Sequence, residues 1–140
     1  MSISLYNYKI NVIRVIDGDT IYAEIDLGFN IRIKDYIRFD GVDTPETRGS
    51  TATDLGQWAK MYTSLWLRGL EGQFDELKTL NLDEAWSKVP RSDTGPWLTN
   101  LYLDSKSYND REKYGRILGY IYRNEALSLN TRLLQEGLKK

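Results

Sequence analysis

This chain of 140 residues contains no cysteine, no histidine and no excess of either charge. Without cysteine there is no disulfide, no thiolate zinc site and no cysteine nucleophile. Without histidine, a hydrolase built on this chain has neither a Ser-His or Cys-His pair nor imidazole-ligated zinc. Its base must then be a carboxylate, a lysine or metal-bound water. The 19 Lys plus Arg stand against 20 Asp plus Glu, a net charge of -1. No global positive field therefore advertises a nucleic-acid partner, and any such binding needs a local patch. No apolar run reaches membrane-spanning length, and the opening MSISLYNYKINVIRV lacks a basic region followed by an apolar one. The expectation is a cytoplasmic chain with no membrane partner, folding as one domain over residues 1–140 because that length suits a single core.

What the chain does have is alternation. Ile21, Ala23, Ile25 and Leu27 share one parity, while Thr20, Tyr22, Glu24 and Asp26 share the other, the pattern of a half-buried strand. Upstream, YKINVIRVI is rich in β-branched residues and apolar on both faces, as a strand entering a barrel would be. The two read as a hairpin around Asp17-Gly18. A third run, FNIRIKDYIRF, places Phe29, Ile31, Ile33, Ile37 and Phe39 on one parity; Asp35 breaks it and predicts a bulge. At DTPETRG the strand signals stop. Leu55, Trp58, Ala59, Tyr62, Leu65 and Trp66 then recur at helical spacing and predict a helix ending near Gly69. Residues 70–97 read as an inserted excursion, with a short helix in NLDEAWSKV, turn chemistry in PRSDTGP, and Trp86 and Trp97 in the core or partly buried. Strands return in LTNLYLD and ILGYIY, and a last helix over 128–136 closes at Gly137. Three meandering strands, a helix, two more strands and a helix predict an α+β fold: a five-stranded OB-type β-barrel with helices packed on it.

Several stretches have both an ordinary and a chemical reading. Asp17-Gly18-Asp19 is turn chemistry, since Asp-Gly favours positive φ in tight hairpins. In RFDGVDTPETR, Asp43 or Thr44 as N-cap, Pro45 at the first helical position and Glu46 in the first turn make a helix start. Arg38 shares parity with Arg32, Lys34 and Tyr36, as on a solvated strand face. DREKYGR reads as a charged loop turning at Tyr114-Gly115. A calmodulin-type calcium loop is excluded, because Ile21 and Gly28 would stand where such a loop needs oxygen ligands.

Taken together, VIDGDT, IRFDGVDTPET, DREKYGRILGYIY and, more loosely, LNTRLLQEGL resemble the staphylococcal nuclease (thermonuclease) family. The likeness covers roughly residues 8–69 and 99–138. It implies an OB-type barrel with packed helices and a calcium-dependent phosphodiesterase, a nuclease hydrolysing DNA or RNA. The expected substrate is single-stranded or frayed nucleic acid, and the expected enzyme a monomer. By the same resemblance Asp19 and Asp43 are the side-chain ligands of Ca2+ and Thr44 a carbonyl ligand. Arg38 and Arg116 grip phosphate, Glu46 is the general base, Lys113 and Tyr114 contact the nucleic acid, and Asp17 stands behind the ligands. These residue types suit that chemistry. Calcium takes about six to eight oxygens, so two carboxylates and a carbonyl leave room for water and a substrate phosphate. Forked guanidiniums match phosphate oxygens. Two other readings stay open: a non-catalytic OB module that binds single strands, and a protein-interaction domain using the Trp-bearing stretch at 70–97. With net charge near zero, nucleic-acid binding is expected to show a shallow salt dependence of about two to four phosphate contacts. A steeper one would point to a basic groove along Arg32, Lys34 and Lys113, or to oligomerisation that supplies further binding surface.

Overall fold

A computed structural model describes residues 6–49, 53–105, 115–124 and 126–140. Strands β1 (Asn7–Asp17), β2 (Thr20–Gly28) and β3 (Ile31–Phe39) come first, followed by helix α1 (Asp54–Trp66). A 3-10 turn (Glu71–Gln73) and the short helices α2 (Phe74–Leu77) and α3 (Leu82–Ser87) lead to strands β4 (Leu101–Ser105) and β5 (Ile117–Tyr122), and α4 (Leu129–Gln135) comes last. The strands close in the order β1-β2-β3-β5-β4, with β4 returning to pair with β1. Only the β3–β5 pairing is parallel among them. This is the OB-type barrel that the element order predicts.

Parity explains the interior. Ile10, Val12 and Val15 of β1, Ile21, Ala23 and Ile25 of β2, and Ile37 and Phe39 of β3 are all buried. At the β2–β3 tip the pattern fails: Phe29 is 97% exposed, and Leu27 and Ile31 are exposed with it. Gly28 pairs with Ile31, leaving Phe29 and Asn30 as a two-residue loop with φ of 55° and 62°. That is the geometry of a type I′ turn, and it carries these side chains beyond the part of the barrel that could cover them. The bulge predicted at Asp35 is not there either. Pairing runs without a slip from Thr20↔Arg38 to Asp26↔Arg32, with Asp35 opposite Ala23. A local hydrogen bond, Tyr36 N–H to Asp35 Oδ1 at 2.8 Å, accommodates the acid without an extra residue. The irregularity of this pairing lies instead at its tip, between Asp26 and Gly28, while the neighbouring β1–β2 pairing slips between Val12 and Arg14 and between Val15 and Asp17.

Helix α1 starts where Thr53 Oγ1 accepts the Gly56 N–H at 3.2 Å. Its Ala59, Tyr62, Leu65 and Trp66 are buried, and each large apolar side chain so covered contributes roughly 1.5–3 kcal/mol. Within residues 70–97, Phe74, Leu77, Ala85 and Val89 join the same buried cluster, and Trp86 and Trp97 lie partly buried against it. In α4 the buried Asn130 accepts the Ile121 N–H at 3.1 Å and donates to Asp40 O at 2.8 Å and Gly119 O at 3.1 Å. It thereby fastens this helix to the end of the β3–β5 seam, where the loop over 40–49 begins. Among the described residues no helix is long and apolar enough to cross a membrane.

Candidate active site

Two chain reversals meet at that end of the barrel: the β1–β2 turn and the loop after β3. Gly18 does not take the left-handed backbone that the Asp-Gly turn reading predicts; it is there for space. A Cβ on it would lie 2.7 Å from Ala59 Cβ and 3.0 Å from both the Ala59 carbonyl carbon and Thr44 Cγ2. The Thr63 hydroxyl donates to Gly18 O at 2.6 Å. Helix α1 therefore presses directly on the turn and sets the position of Asp19.

DTPETR does not start a helix. Residues 42–46 are irregular, and α1 begins only at Asp54. The Thr44 N–H, which a helix start would turn toward its own cap, is taken by Asp19 Oδ2 at 3.0 Å. The first turn of α1 also packs on the backbone of this loop, since a Cβ on Gly56 would lie 2.3 Å from Glu46 O and 2.8 Å from Pro45 O.

Asp19 is only 7% exposed. Its Oδ1 accepts the Thr20 hydroxyl at 2.9 Å, and its Oδ2 lies 3.4 Å from Arg38 Nη2. The same arginine nitrogen lies 3.4 Å from Asp43 Oδ1. Arg38 Nη1 donates to Phe39 O at 2.7 Å and also to Val42 O. Arg38 is thus a strut between the end of β3 and the loop, its side chain 17% exposed, rather than part of a solvated strand face. The outward parity of β3 stays solvated only while the strand runs free, and at Arg38 the chain folds back over it. Arg116 arrives just before β5, the parallel neighbour of β3, and its Nη1 donates to Thr20 Oγ1 at 3.4 Å. That leaves it one hydroxyl away from Asp19. Asp43 faces solvent, its side chain 62% exposed. Lys140 Nζ stands 3.7 Å from Asp43 Oδ1 and 3.8 Å from Glu46 Oε1.

Asp19, Arg38, Asp43, Thr44 and Arg116 therefore form one connected network, with Glu46 joined to it through Lys140. Asp17 accepts the Thr47 hydroxyl and ties the far end of the loop to β1. Lys113 and Tyr114 fall outside the described residues. Sequence reading passes over Thr20, which links Asp19 to Arg116, although it stands inside VIDGDT. It has no signal for Lys140, whose approach depends on how α4 packs.

A family model described as Staphylococcal nuclease homologue matches residues 36–140. The chain belongs to the staphylococcal nuclease family. No curated protein matches it. The matched span holds Arg38, Asp43, Thr44, Glu46 and Arg116, while Asp17 and Asp19 precede it. In this nuclease-family barrel the β1–β2 turn carries Asp19 in from outside the span.

The donor set can be tested against a divalent cation. Two carboxylates face one cationic nitrogen, so positive charge at that point relieves their mutual repulsion. Among the described residues Thr44 Oγ1 is buried with no hydrogen-bond partner, a hard oxygen left unsatisfied on the residue whose N–H Asp19 accepts. Among the described residues no group of three or more acidic side chains forms a metal cage. A cation held here would complete its shell with carbonyl, water or substrate oxygens. The oxygen donors present fit a hard divalent cation.

Proposed function

We propose that this member of the staphylococcal nuclease family is a calcium-dependent phosphodiesterase that hydrolyses single-stranded or frayed DNA or RNA. What carries the reading is the position of Arg38 Nη2, 3.4 Å from a carboxylate oxygen of both Asp19 and Asp43, with Arg116 one hydroxyl away. Asp19, Asp43 and the Thr44 carbonyl would hold Ca2+. When bound, the ion supplies Lewis-acid polarisation of the scissile phosphate and open positions for its oxygens.

The remaining roles belong to the chain's own side chains. Arg38 and Arg116 grip the phosphate oxygens and stabilise the charge that grows on them as water attacks phosphorus. Arg38 is already braced by two backbone carbonyls, so its fork is oriented before substrate arrives. Glu46 accepts the proton of the attacking water; no histidine exists to do so, and its half-exposed carboxylate sits on the loop that carries Asp43 and Thr44. As the water oxygen bonds to phosphorus, the opposite ester bond breaks and releases an alkoxide. Lys113 and Tyr114 would hold the neighbouring part of the strand.

The test is a single-strand cleavage assay on wild type, Arg116→Ala and Glu46→Gln. Arg116→Ala should lower turnover by about 10²- to 10³-fold, the typical loss of one well-placed charge-stabilising donor. Glu46→Gln should lose rate without losing melting temperature. Wild-type rates in both variants would remove these residues from the chemistry.

A further inference from the structure

Beside this site a cleft of about 770 Å³ opens between the β1–β3 wall, α1 and residues 86–93. Arg14, Arg48, Lys60 and Arg91 line it together with Tyr36 and Trp86, and among the described residues Asp93 is the only acid in its lining. In a chain of net charge -1, this is a local positive concentration that the overall composition conceals. It does not lie along Arg32 and Lys34, where Arg32 faces Glu24 at 3.8 Å. Asp93 is committed to Arg91 at 3.0 Å. Among the described residues Arg14, Arg48 and Lys60 have no ion-pair partner. Arg14 instead donates to the Tyr36 hydroxyl at 3.2 Å and lies over the Tyr22 ring, which packs on Tyr36 with centroids 4.8 Å apart. Burial holds the Lys60 ammonium below its ordinary pKa, and Arg48 pushes the same way against Asp17 and Asp93. An anion entering the cleft would relieve that strain.

The outer wall is anchored. Val15 N–H donates to Ser92 O at 2.9 Å, at a β1 irregularity. Arg68 donates to Arg91 O at 2.7 Å and to Pro96 O at 3.2 Å, and its guanidinium stacks on Trp97 at 3.9 Å. The cleft also shares a loop with the site. Arg48 follows Thr44 so closely that their Cα atoms are within about 14 Å, at roughly 3.3–3.6 Å per residue. Gln57, in the cleft wall, donates to Thr47 O at 3.1 Å, and Thr47 in turn binds Asp17.

We propose that this cleft is a strand-holding subsite for single-stranded nucleic acid. Arg14, Arg48 and Lys60 take phosphates, and Tyr36 or Trp86 takes a base, a few nucleotides from the bond cut at the Asp19, Arg38 and Arg116 network. The identity of the polymer rests on the nuclease reading above. The volume lies within the roughly 300–1,000 Å³ of small-ligand sites. Forked cations beside aromatic faces are what a flexible phosphodiester strand requires. An acidic polypeptide would use the cations but not the rings, nor the continuity with a phosphodiester site.

The experiment is fluorescence anisotropy of a labelled oligothymidylate of about 12 nucleotides, a length within the reach of an OB-type barrel. It is titrated in excess chelator so that the strand is not cut. The proteins are wild type, Arg48→Glu, whose side chain is exposed, and the double variant Arg14→Ala/Lys60→Gln, each checked for an unchanged melting transition. Kd should rise at least tenfold in Arg48→Glu. The slope of log K against log salt should fall by about 0.7 for each phosphate contact removed. The same changes should appear in an Asp43→Ala background, because the cleft works without the metal ligands. Wild-type Kd and slope in the folded variants would overturn the subsite. Polyglutamate competing as well as oligothymidylate, with the same dependence on the variants, would overturn the nucleic-acid assignment in favour of an acidic protein partner. If the variants lose binding while wild type cuts nothing in calcium, the cleft stands and the nuclease reading falls.

Discussion

Gly18→Ala puts a methyl group where there is no room for one. Its Cβ would sit 2.7 Å from Ala59 Cβ and 3.0 Å from Thr44 Cγ2, against an ordinary carbon contact of about 3.5–4.0 Å. Either α1 or the turn must give by roughly 1 Å to restore that spacing. The turn is held from two sides, by the Thr63 hydroxyl on Gly18 O at 2.6 Å and by the Phe39 N–H on Asp19 O at 2.8 Å. Overpacking of this kind costs about 1–3 kcal/mol. At roughly 3–5 °C per kcal/mol for a chain of this size, Tm should drop by about 3–15 °C. Ala59→Gly removes the nearest atom and by itself costs about 1 kcal/mol of helix stability. The double variant should therefore be more stable than the two singles add up to, with a coupling of about 0.5–3 kcal/mol. The site supplies a second readout. A displacement of about 1 Å at Asp19 should lower cleavage by about 10²-fold, more than the loss of folded protein explains. Denaturant unfolding of the four proteins, with initial rates measured where each is folded, checks both. An additive cycle together with a wild-type rate in Gly18→Ala would refute the idea that contact with α1 positions the catalytic turn.

Arg38→Ala should destabilise the protein by about 3–5 kcal/mol in denaturant unfolding, because it leaves the buried Asp19 carboxylate without its paired cation; a loss under 1 kcal/mol would show that Arg38 is no strut. Burial raises the Tyr62 pKa, so its hydroxyl stays neutral in the folded state where an unfolded tyrosine ionises. The stability tied to that difference is fully present below about pH 10 and is lost as pH rises through the folded value. Tyr62→Phe should thus flatten the alkaline fall in stability by up to about 1.4 kcal/mol per pH unit; an unchanged alkaline slope contradicts this. Phe29→Asn should raise Tm by about 3–8 °C, since it relieves a bulky residue at φ 55°; a lower Tm would mean that the exposed ring is stabilising.

The barrel is legible because its walls are buried on one side, so Ile21, Ala23, Ile25, Ile37 and Phe39 must keep parity or face water. Where the wall ends, at Leu27, Phe29 and Ile31, the same pattern carries no information about burial. Asp35 misleads for a related reason, since a half-buried acid can be held by local hydrogen bonding such as the Tyr36 N–H, with no change of register. The candidate site is legible as residue types at motif positions. Its geometry is not, because it depends on contacts between segments far apart in the chain. Gly18 is glycine because of Ala59, Gly56 because of Glu46 and Pro45, and DTPETR is kept from helix by Asp19. The basic cleft escapes composition altogether, since the four cations among its described lining residues come from four separate segments.

The most direct measurement is the initial rate of single-strand cleavage as a function of free calcium, on wild type and Asp43→Ala. The expected result is saturable activation abolished by excess chelator. In Asp43→Ala, which removes one of two carboxylates facing Arg38, the curve should move to at least about tenfold higher calcium with a lower plateau, since losing one charged ligand weakens a site that depends on ligand charge. Undiminished cleavage in chelator, or superimposable curves for the two proteins, would contradict a calcium-dependent phosphodiesterase built on Asp19 and Asp43.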